Sequence, residues 1–202
     1  MDEVYLVKEA QKGSLDAYNT LVLAYQEIAY NLAYRMLGDL APAEDATQTA
    51  FISAYKNLNQ YRGGSFKAWV MRMVTNACYD ELRRRQRHPS VALEPTVGED
   101  DEEMESPRWL ASDDPSPEET LERAELGDAI QNCLQKLDEN FRAVVVMIDI
   151  EGMDYQEVSE IVQTPLGTIK SRLARARMKL RDCLKHHGEL LPAEYRHQGE
   201  VM

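Results

Sequence analysis

A segment rich in proline and acidic residues divides the chain in two, and this limits what the chain can fold into. Residues 89–126 hold five of the eight prolines and 13 acidic side chains against two basic ones. A stretch of this composition buries too little apolar surface to form a core, so we expect a disordered or extended linker. Because the chain has 202 residues, the parts on either side can each hold only a small core.

The sequence on both sides of this linker is helical in pattern. It contains no alternating strand runs and no Asn-Gly or Asp-Gly hairpin signal, which predicts an all-α fold of two small domains. In the first part we expect a helix near Glu3 to Lys12 and a longer one that ends at Gly38. Pro42 begins the third helix, and Ser65 caps a fourth that runs to about Arg87.

The stretch 154–184 in the second part predicts a helix, a tight turn and a second helix. Asp154 can cap the first helix, with Glu157 three residues on. Thr164 is the expected N-cap of the second helix, and Pro165 takes its first helical position. Apolar residues recur at helical spacing along both helices: Tyr155, Val158, Ile161 and Val162, then Leu166, Ile169, Leu173, Ala176 and Leu180.

The second of these helices is strongly cationic, although the whole chain has a net charge of −12. Between Leu166 and Lys185 there are seven lysines or arginines and one acid, Asp182. In a helix-turn-helix the N-terminal part of the second helix enters the major groove, so Lys170, Ser171 and Arg175 are candidates for contacting bases. The alternative is a solvated cationic helix whose leucine stripe only packs on its own domain.

The fourth helix of the first part carries Trp69 and ends in a cluster of arginines, namely Arg83, Arg84, Arg85 and Arg87. A polar loop with two glycines, residues 59–64, precedes it. Arginines suit phosphates, and such a loop can receive an unstacked base, so this helix is a candidate for contact with a nucleic-acid strand. The alternative is cationic capping of the helix dipole, for which one or two basic residues suffice.

The remaining reactive residue types do not indicate catalysis. Cys78, Cys133 and Cys183 are widely spaced within helical patterns, so we expect reduced cysteines that pack as small apolar side chains. The histidines fall in the linker or the tail, and no ligand spacing or phosphate-binding loop is present. We therefore expect no enzyme activity, no metal and no cofactor. No segment is long and apolar enough to cross a membrane and no secretory signal is visible, so the cytoplasm is the expected compartment.

Two sets of motifs, in this order, resemble those of the extracytoplasmic-function sigma factors, small initiation subunits of bacterial RNA polymerase in the sigma-70 family. The motifs are Ala43-Glu44-Asp45-Ala46-Thr47-Gln48 with Phe51; Phe66-x-x-Trp69-Val70 with Asn76, Asp80 and Arg83-Arg84; Leu137 to Arg142; and Pro165-Leu166-Gly167-Thr168-Ile169-Lys170-Ser171-Arg172-Leu173-x-Arg175-Ala176-Arg177. The chain departs from the family at Asp138, where proline is usual. Gln163-Thr164 also precedes Pro165 without the glycine common there.

The resemblance implies a sigma region 2 at 1–88 and a sigma region 4 at 127–186, joined by the linker 89–126 and followed by a tail at 187–202. It implies binding to core RNA polymerase, through the β′ coiled-coil and the β flap, to promoter DNA and to an anti-sigma factor. Asp45, Gln48 and Ile52 would contact the polymerase. The −10 element would meet Asn59, Arg62, Asn76, Arg83 and Arg84, and the −35 element would meet Thr168, Lys170, Ser171, Arg172, Arg175 and Arg177, with Arg172 and Arg177 on phosphates.

Two alternatives remain open from the sequence. The linker, with Trp109-Leu110 set among acids, is either a nucleic-acid mimic that follows the polymerase's RNA path or a solubilising tether. The chain could also be a free-standing helix-turn-helix regulator whose first domain serves dimerisation or sensing, in which case a palindromic site is expected.

Overall fold

The computed structural model describes residues 2–87 and 117–190, including the side chains of all these residues except 117–122. Every regular element in these two ranges is helical, and none of their helices is long and apolar enough to cross a bilayer. The α-helices are α1 Glu3–Gln11, α2 Leu15–Leu37, α3 Leu40–Asn57, α4 Phe66–Arg87, α5 Pro117–Gln135, α6 Glu139–Val145, α7 Tyr155–Ile161 and α8 Leu166–Leu184. A 3-10 turn at Leu58–Gln60, a π-helix at Val146–Ile150 and a 3-10 segment at Lys185–Leu190 complete the set.

Several helix ends lie where the sequence predicts them. The Ser65 hydroxyl accepts from the Ala68 amide at 3.0 Å, and the Asp154 carboxylate accepts from the Glu157 amide at 2.8 Å. Gly38 ends α2 with φ of 75°, in the left-handed region that glycine adopts without strain. The predicted caps therefore fix the starts of α4 and α7 and the end of α2.

Three helix starts differ from the prediction. Helix α3 begins at Leu40, and Pro42 lies inside its first turn, where the missing N–H is not needed. Helix α8 begins one residue late because Pro165, with ψ of 144°, is extended, and the Thr164 hydroxyl donates to the Val162 carbonyl instead of capping the helix. Helix α5 begins at Pro117, inside the expected linker, where proline followed by two glutamates is a favourable helix start.

The first domain is a bundle in which α2 packs against α3 and α4, with α1 across α2. Its core contains the fully buried Leu21, Leu32, Met36, Phe66 and Met71. The small residues on the inner face of α3 (Ala43, Ala46, Ala50 and Ala54) let α3 approach its neighbours closely.

The second domain packs α6 and α7 against α8, with α5 along its side. Ile169, Leu173 and Ala176 form the buried stripe of α8, as predicted, but Leu166 is 38% exposed because it lies in the first turn, beyond the contact with α7. In the turn between α7 and α8, Gln163 has φ of 50°. Gln163 is thus a residue with a side chain in the left-handed region. It belongs to the Gln163-Thr164 pair before Pro165, where the sigma factors that the sequence resembles commonly have a glycine.

The two domains are in direct contact. Helix α2 packs against α5, α6 and the π-helix, and α4 packs against α7. Buried apolar side chains of both domains belong to one continuous cluster. The linker and tail predicted at 89–126 and 187–202 lie largely outside the described residues, as does the Trp109-Leu110 pair.

The prediction of three reduced cysteines is wrong for two of them. Cys133 on α5 and Cys183 on α8 form a disulfide, although they are 50 residues apart in sequence. The two cysteines meet because α5 packs against α8. A tertiary contact of this kind leaves no local pattern in the sequence, so the pair could not be predicted. Cys78 is the free cysteine of the described residues; it is buried in the first domain, and burial raises its pKa to about 12.

Candidate nucleic-acid and polymerase interfaces

The N-terminal half of α8 presents a cationic surface to solvent. Lys170, Ser171 and Arg175 are exposed, and Thr168 is half-buried beside them, its carbonyl accepting from the Ser171 hydroxyl at 2.9 Å. Within the described residues, neither Lys170 nor Arg175 forms an ion pair. Buried Ile169 and Leu173 fix the rotation of the helix, so these polar side chains point away from the domain.

Arg172 differs from its neighbours on α8 because it faces the first domain. It is half-buried, and its guanidinium lies 3.5 Å from the Thr164 hydroxyl. Burial raises the pKa of Tyr79 on α4 to about 12, and the nearby positive charge of Arg172 partly opposes this rise. In this arrangement Arg172 lies between the two domains. It would have to leave that position to make the predicted phosphate contact.

Further along α8, acidic residues of the same domain neutralise the cations. Arg177 donates two hydrogen bonds, of 2.6 and 2.9 Å, to the Asp149 carboxylate on the π-helix. Lys179 lies 2.9 Å from Asp138 and 4.9 Å from the centroid of the Phe141 ring. The sequence predicts neither of these ion pairs, since Asp149 and Asp138 lie 28 and 41 residues from their partners.

The arginine cluster at the end of α4 is also partly paired. Arg83 contacts Asp80 at 3.0 Å, and Arg84 and Arg85 share Glu81, whose pKa the two guanidinium groups lower. Arg85 in addition donates to the Leu37 carbonyl at the end of α2. Arg85 is thus a structural residue, whereas Arg83 and Arg84 remain largely exposed at the helix surface.

An aromatic cluster holds the glycine loop against α4. Tyr61 packs against Trp69, with 5.3 Å between ring centroids, and its hydroxyl donates to the Gly64 carbonyl at 2.7 Å. Trp69 is half-buried in this cluster, while Asn59 and Arg62 are exposed in the 3-10 turn and the loop.

Asn76 is exposed on α4, two turns beyond Trp69, which is about 10 Å along the helix axis. Asn76 thus lies along α4 between the end next to the glycine loop and the end that carries the arginine cluster.

The exposed face of α3 carries the three candidates for polymerase contact. Asp45, Gln48 and Ile52 recur at spacings of three and four, and Ile52 is 49% exposed. Tyr55, one turn after Ile52, adds apolar surface to this face because it is 41% exposed. Its ring packs against the Tyr18 ring, with 4.9 Å between the ring centroids. Tyr55 is not among the polymerase-contact residues that the sequence predicts.

Comparison with known proteins identifies two families of domain. Residues 21–88 match sigma-70 region 2, and residues 127–180 match sigma-70 region 4. The chain is 36% identical to the ECF RNA polymerase sigma factor SigE of Mycolicibacterium smegmatis over 87% of its own length, which spans 65% of that protein. It is 35% identical to SigW, an ECF RNA polymerase sigma factor of Bacillus subtilis, over 89% of this chain and 95% of SigW.

Two solved structures share the fold. One is CnrH in complex with the cytosolic domain of CnrY, with a TM-score of 0.65 and 24% identity over 92% of this chain and 97% of CnrH. The other is the sigma factor RpoE of Bartonella quintana with the anti-sigma factor NepR, with a TM-score of 0.63 and 23% identity over 85% and 98%. The two family matches, together with the 35% identity to SigW over 95% of SigW, show that the chain belongs to the extracytoplasmic-function RNA polymerase sigma factors of the sigma-70 family.

Proposed function

We propose that this chain binds bacterial core RNA polymerase in the cytoplasm and directs it to promoters through a −10 and a −35 element. The observation that carries this proposal is the charge arrangement on α8. Its exposed N-terminal half keeps Lys170 and Arg175 outside any ion pair of the described residues, whereas Arg177 and Lys179 further along are paired with acids. In a helix-turn-helix the N-terminal end of the second helix enters the major groove, so cations without an ion-pair partner at that end favour binding to duplex DNA.

In this proposal Lys170, Ser171 and Arg175 contact bases of the −35 element, and Thr168 supports Ser171. Arginine or lysine can donate to the O6 and N7 atoms of guanine, and each good contact contributes about 1–3 kcal/mol of discrimination. Arg172 and Arg177 would contact phosphates after releasing their present partners, the Thr164 hydroxyl and the Asp149 carboxylate.

For the −10 element we propose a single-stranded track along α4. Asn59 and Arg62 lie at one end of the track, Asn76 in the middle, and Arg83 and Arg84 at the other end. Extruding a base from the duplex costs a few kcal/mol, so a surface that binds the unstacked strand favours melting at the matching sequence.

The exposed face of α3 is the proposed contact with the β′ coiled-coil of core polymerase, and the second domain would meet the β flap. Asp45 and Gln48 offer polar contacts beside the apolar Ile52, an arrangement typical of an interface with a small apolar centre. An anti-sigma factor is a further proposed partner, supported by the fold shared with CnrH and RpoE, which were solved with CnrY and NepR.

Run-off transcription tests the proposal. Purified bacterial core polymerase is incubated with and without this chain on a pool of promoters from the source genome. Specific transcripts that appear only with the chain are expected, and their start sites give the promoter elements. Absence of transcripts together with tight binding of the chain alone to a palindromic duplex would overturn the proposal in favour of a free-standing regulator.

A further inference from the structure

Helix α1 packs against the 3-10 turn at which the glycine loop (residues 59–64) begins. The side-chain amide of Gln11, at the end of α1, donates to the Leu58 carbonyl at 3.0 Å and to the Tyr61 carbonyl at 3.2 Å. The Leu58 carbonyl also accepts from the Tyr61 amide at 3.1 Å, which is the backbone hydrogen bond of the turn. Gln11 therefore joins the carbonyl that opens this turn to the carbonyl that follows it, and fixes the shape of the turn.

The start of α1 holds the other end of the loop. The Glu3 carboxylate accepts from the Phe66 amide, the first N–H of α4, at 3.4 Å, and it also accepts from the Tyr25 hydroxyl on α2. The first N–H groups of a helix have no partner within it, so a carboxylate at this place stabilises the helix start. Burial and the hydrogen bond to Glu3 raise the pKa of Tyr25, so its hydroxyl keeps the proton that it donates.

Glu3 and Gln11 are the first and last residues of α1, about 12 Å apart at a rise of 1.5 Å per residue. Between the two points that they hold, Gly63 and Gly64 have φ of 105° and 98°. A Cβ atom added at either glycine would meet nothing within 4 Å, so the backbone conformation requires these glycines and the available space does not. Because glycine loses more conformational freedom on ordering than any other residue, this loop depends on outside contacts to keep one conformation.

The contacts with α1 leave the outer side of the loop free. Leu58 and Phe66, at its two ends, are buried, whereas Asn59 and Arg62 are exposed. The Tyr61 ring packs edge-on against the Phe66 ring, with 5.7 Å between the ring centroids. The 3-10 turn sets the directions of the Asn59 and Arg62 side chains, so a residue that fixes the turn also fixes those directions.

We infer that Gln11 and Glu3 are positioning residues for recognition of the −10 element, and that they act by holding the glycine loop and not by touching DNA. The inference rests on the proposed function, in which Asn59 and Arg62 contact the unstacked strand. Both Gln11 and Glu3 are half-buried, and their polar atoms are already bonded to the ends of the loop and to Tyr25. A loop that is ordered in advance loses less conformational entropy on binding, and only fixed donors and acceptors distinguish one base from another.

The first part of the test follows amide exchange by NMR in the free full-length chain. Gln11→Glu keeps the shape of the side chain but removes its N–H groups, so we expect the Tyr61 amide to exchange about tenfold faster, as for the loss of one or two hydrogen bonds. Glu3→Ala should speed exchange of the Phe66 amide by a similar factor, and Glu3→Gln, which keeps an acceptor oxygen, should restore much of the protection. Gln26→Glu, an equal charge change at an exposed position of α2, should leave both amides unchanged.

The second part measures base discrimination by the chain bound to core polymerase. The probe is a single-stranded oligonucleotide that carries the −10 element found by run-off transcription, together with versions in which each base is changed in turn. Gln11→Glu should lower the ratio of affinities between the matched and the changed oligonucleotide several-fold at one base position. It should leave affinity for core polymerase and the base preference at the −35 element as they are, and so should Gln26→Glu at every position. A purely structural role for Gln11 would lower the melting temperature of the chain without changing this ratio.

Amide exchange requires neither DNA nor polymerase, so it decides whether α1 holds the loop independently of the proposed function. Unchanged exchange of the Tyr61 amide in Gln11→Glu and of the Phe66 amide in Glu3→Ala would overturn the inference. Faster exchange with an unchanged discrimination ratio would overturn it as well, since α1 would then stabilise the loop without affecting the choice of base. Absence of promoter-specific transcripts would instead overturn the proposed function, and with it the assignment of the loop to a −10 element, whatever the exchange shows.

Discussion

The Arg177 guanidinium and the Asp149 carboxylate form a two-point ion pair, with hydrogen bonds of 2.6 and 2.9 Å that join α8 to the π-helix. The pair raises the pKa of Arg177, chiefly through the hydrogen bond to Asp149. A cation that already holds a carboxylate gains less from a DNA phosphate than a free one does. This pairing distinguishes Arg177 from Lys170, although both lie on the same helix.

We expect Lys170→Ala and Arg177→Ala to differ in the salt dependence of promoter binding. Each phosphate neutralised adds about 0.9 to the slope of log K against log salt. Lys170→Ala should reduce the slope of the holoenzyme by nearly that amount if Lys170 contacts a phosphate, and should change base preference if it contacts a base. Arg177→Ala should reduce the slope by clearly less. An equal, full loss for Arg177→Ala would show that Asp149 no longer competes for the Arg177 guanidinium once the DNA is bound.

Arg175→Ala should weaken promoter binding by about 1–3 kcal/mol and relax the preference at one base position, as expected for loss of a base contact. The measurement is competition binding of the holoenzyme to a set of duplexes with single substitutions in the −35 element. Ala174→Ser, an exposed neighbour on α8, is the control and should leave the profile unchanged. Uniform weakening across all duplexes would make Arg175 a phosphate contact.

A double substitution of Asp45 and Gln48 by alanine should lower affinity for core polymerase, because it removes the polar contacts around Ile52 on the proposed docking face. Gln26→Ala, at an exposed position of α2 and not on α3, is the control. Affinity can be measured with fluorescently labelled chain and purified core enzyme. Unaltered affinity in the double variant would remove this face from the proposal.

Reduction of the Cys133–Cys183 disulfide should destabilise the second domain. In the chain-entropy model, closing a loop of 50 residues contributes about 4 kcal/mol, so a melting temperature lower by about 10 °C or more is expected on reduction. Scanning calorimetry with and without reductant measures the change. Alkylation after denaturation gives the control: one thiol, Cys78, should react without reductant, and three should react with it. Three reactive thiols without reductant would contradict the disulfide.

Glu151 should make stability depend on pH. Burial raises its pKa above the ordinary 4.5, opposed by the charges of Arg35 and Lys67 and aided by that of Glu27. Because the folded form holds the proton more tightly, the stability that this group contributes is complete below pH 4.5 and is lost as pH rises through the folded pKa.

Glu151→Gln cannot ionise, so it should melt at a higher temperature than the unchanged chain at neutral pH and at the same temperature well below pH 4.5. Glu44→Gln, at an exposed site, should show no such difference at either pH. Equal melting temperatures for Glu151→Gln and the unchanged chain at neutral pH would show that Arg35 and Lys67 offset the burial of the carboxylate.

Features set by local chemistry could be predicted from the sequence. The Ser65 and Asp154 caps, the end of α2 at Gly38 and the buried stripe of α8 from Ile169 to Ala176 depend on residues within a few positions of one another. The exposed positions of Lys170, Ser171 and Arg175 follow from that stripe by the helical period.

Features set by tertiary packing could not be predicted. The disulfide, the Asp149–Arg177 pair and the burial of Arg142 on α2 each join residues at least 28 positions apart, and side-chain type alone does not select among the available partners. Gln163 illustrates a smaller failure: its φ of 50° is rare for a residue with a side chain, so composition gave no sign of that conformation.

The π-helix at Val146–Ile150 has a consequence for how this segment can vary. Its five-residue turn, closed by the Glu151 amide on the Val146 carbonyl at 2.9 Å, contains one residue more than the α-helical turn would. Deleting a single residue there would restore an α-helical turn and rotate Asp149 by about 100° away from Arg177. Family members should therefore tolerate many side-chain replacements in this turn while keeping its length constant, and an alignment gap inside it should coincide with loss of the acidic residue.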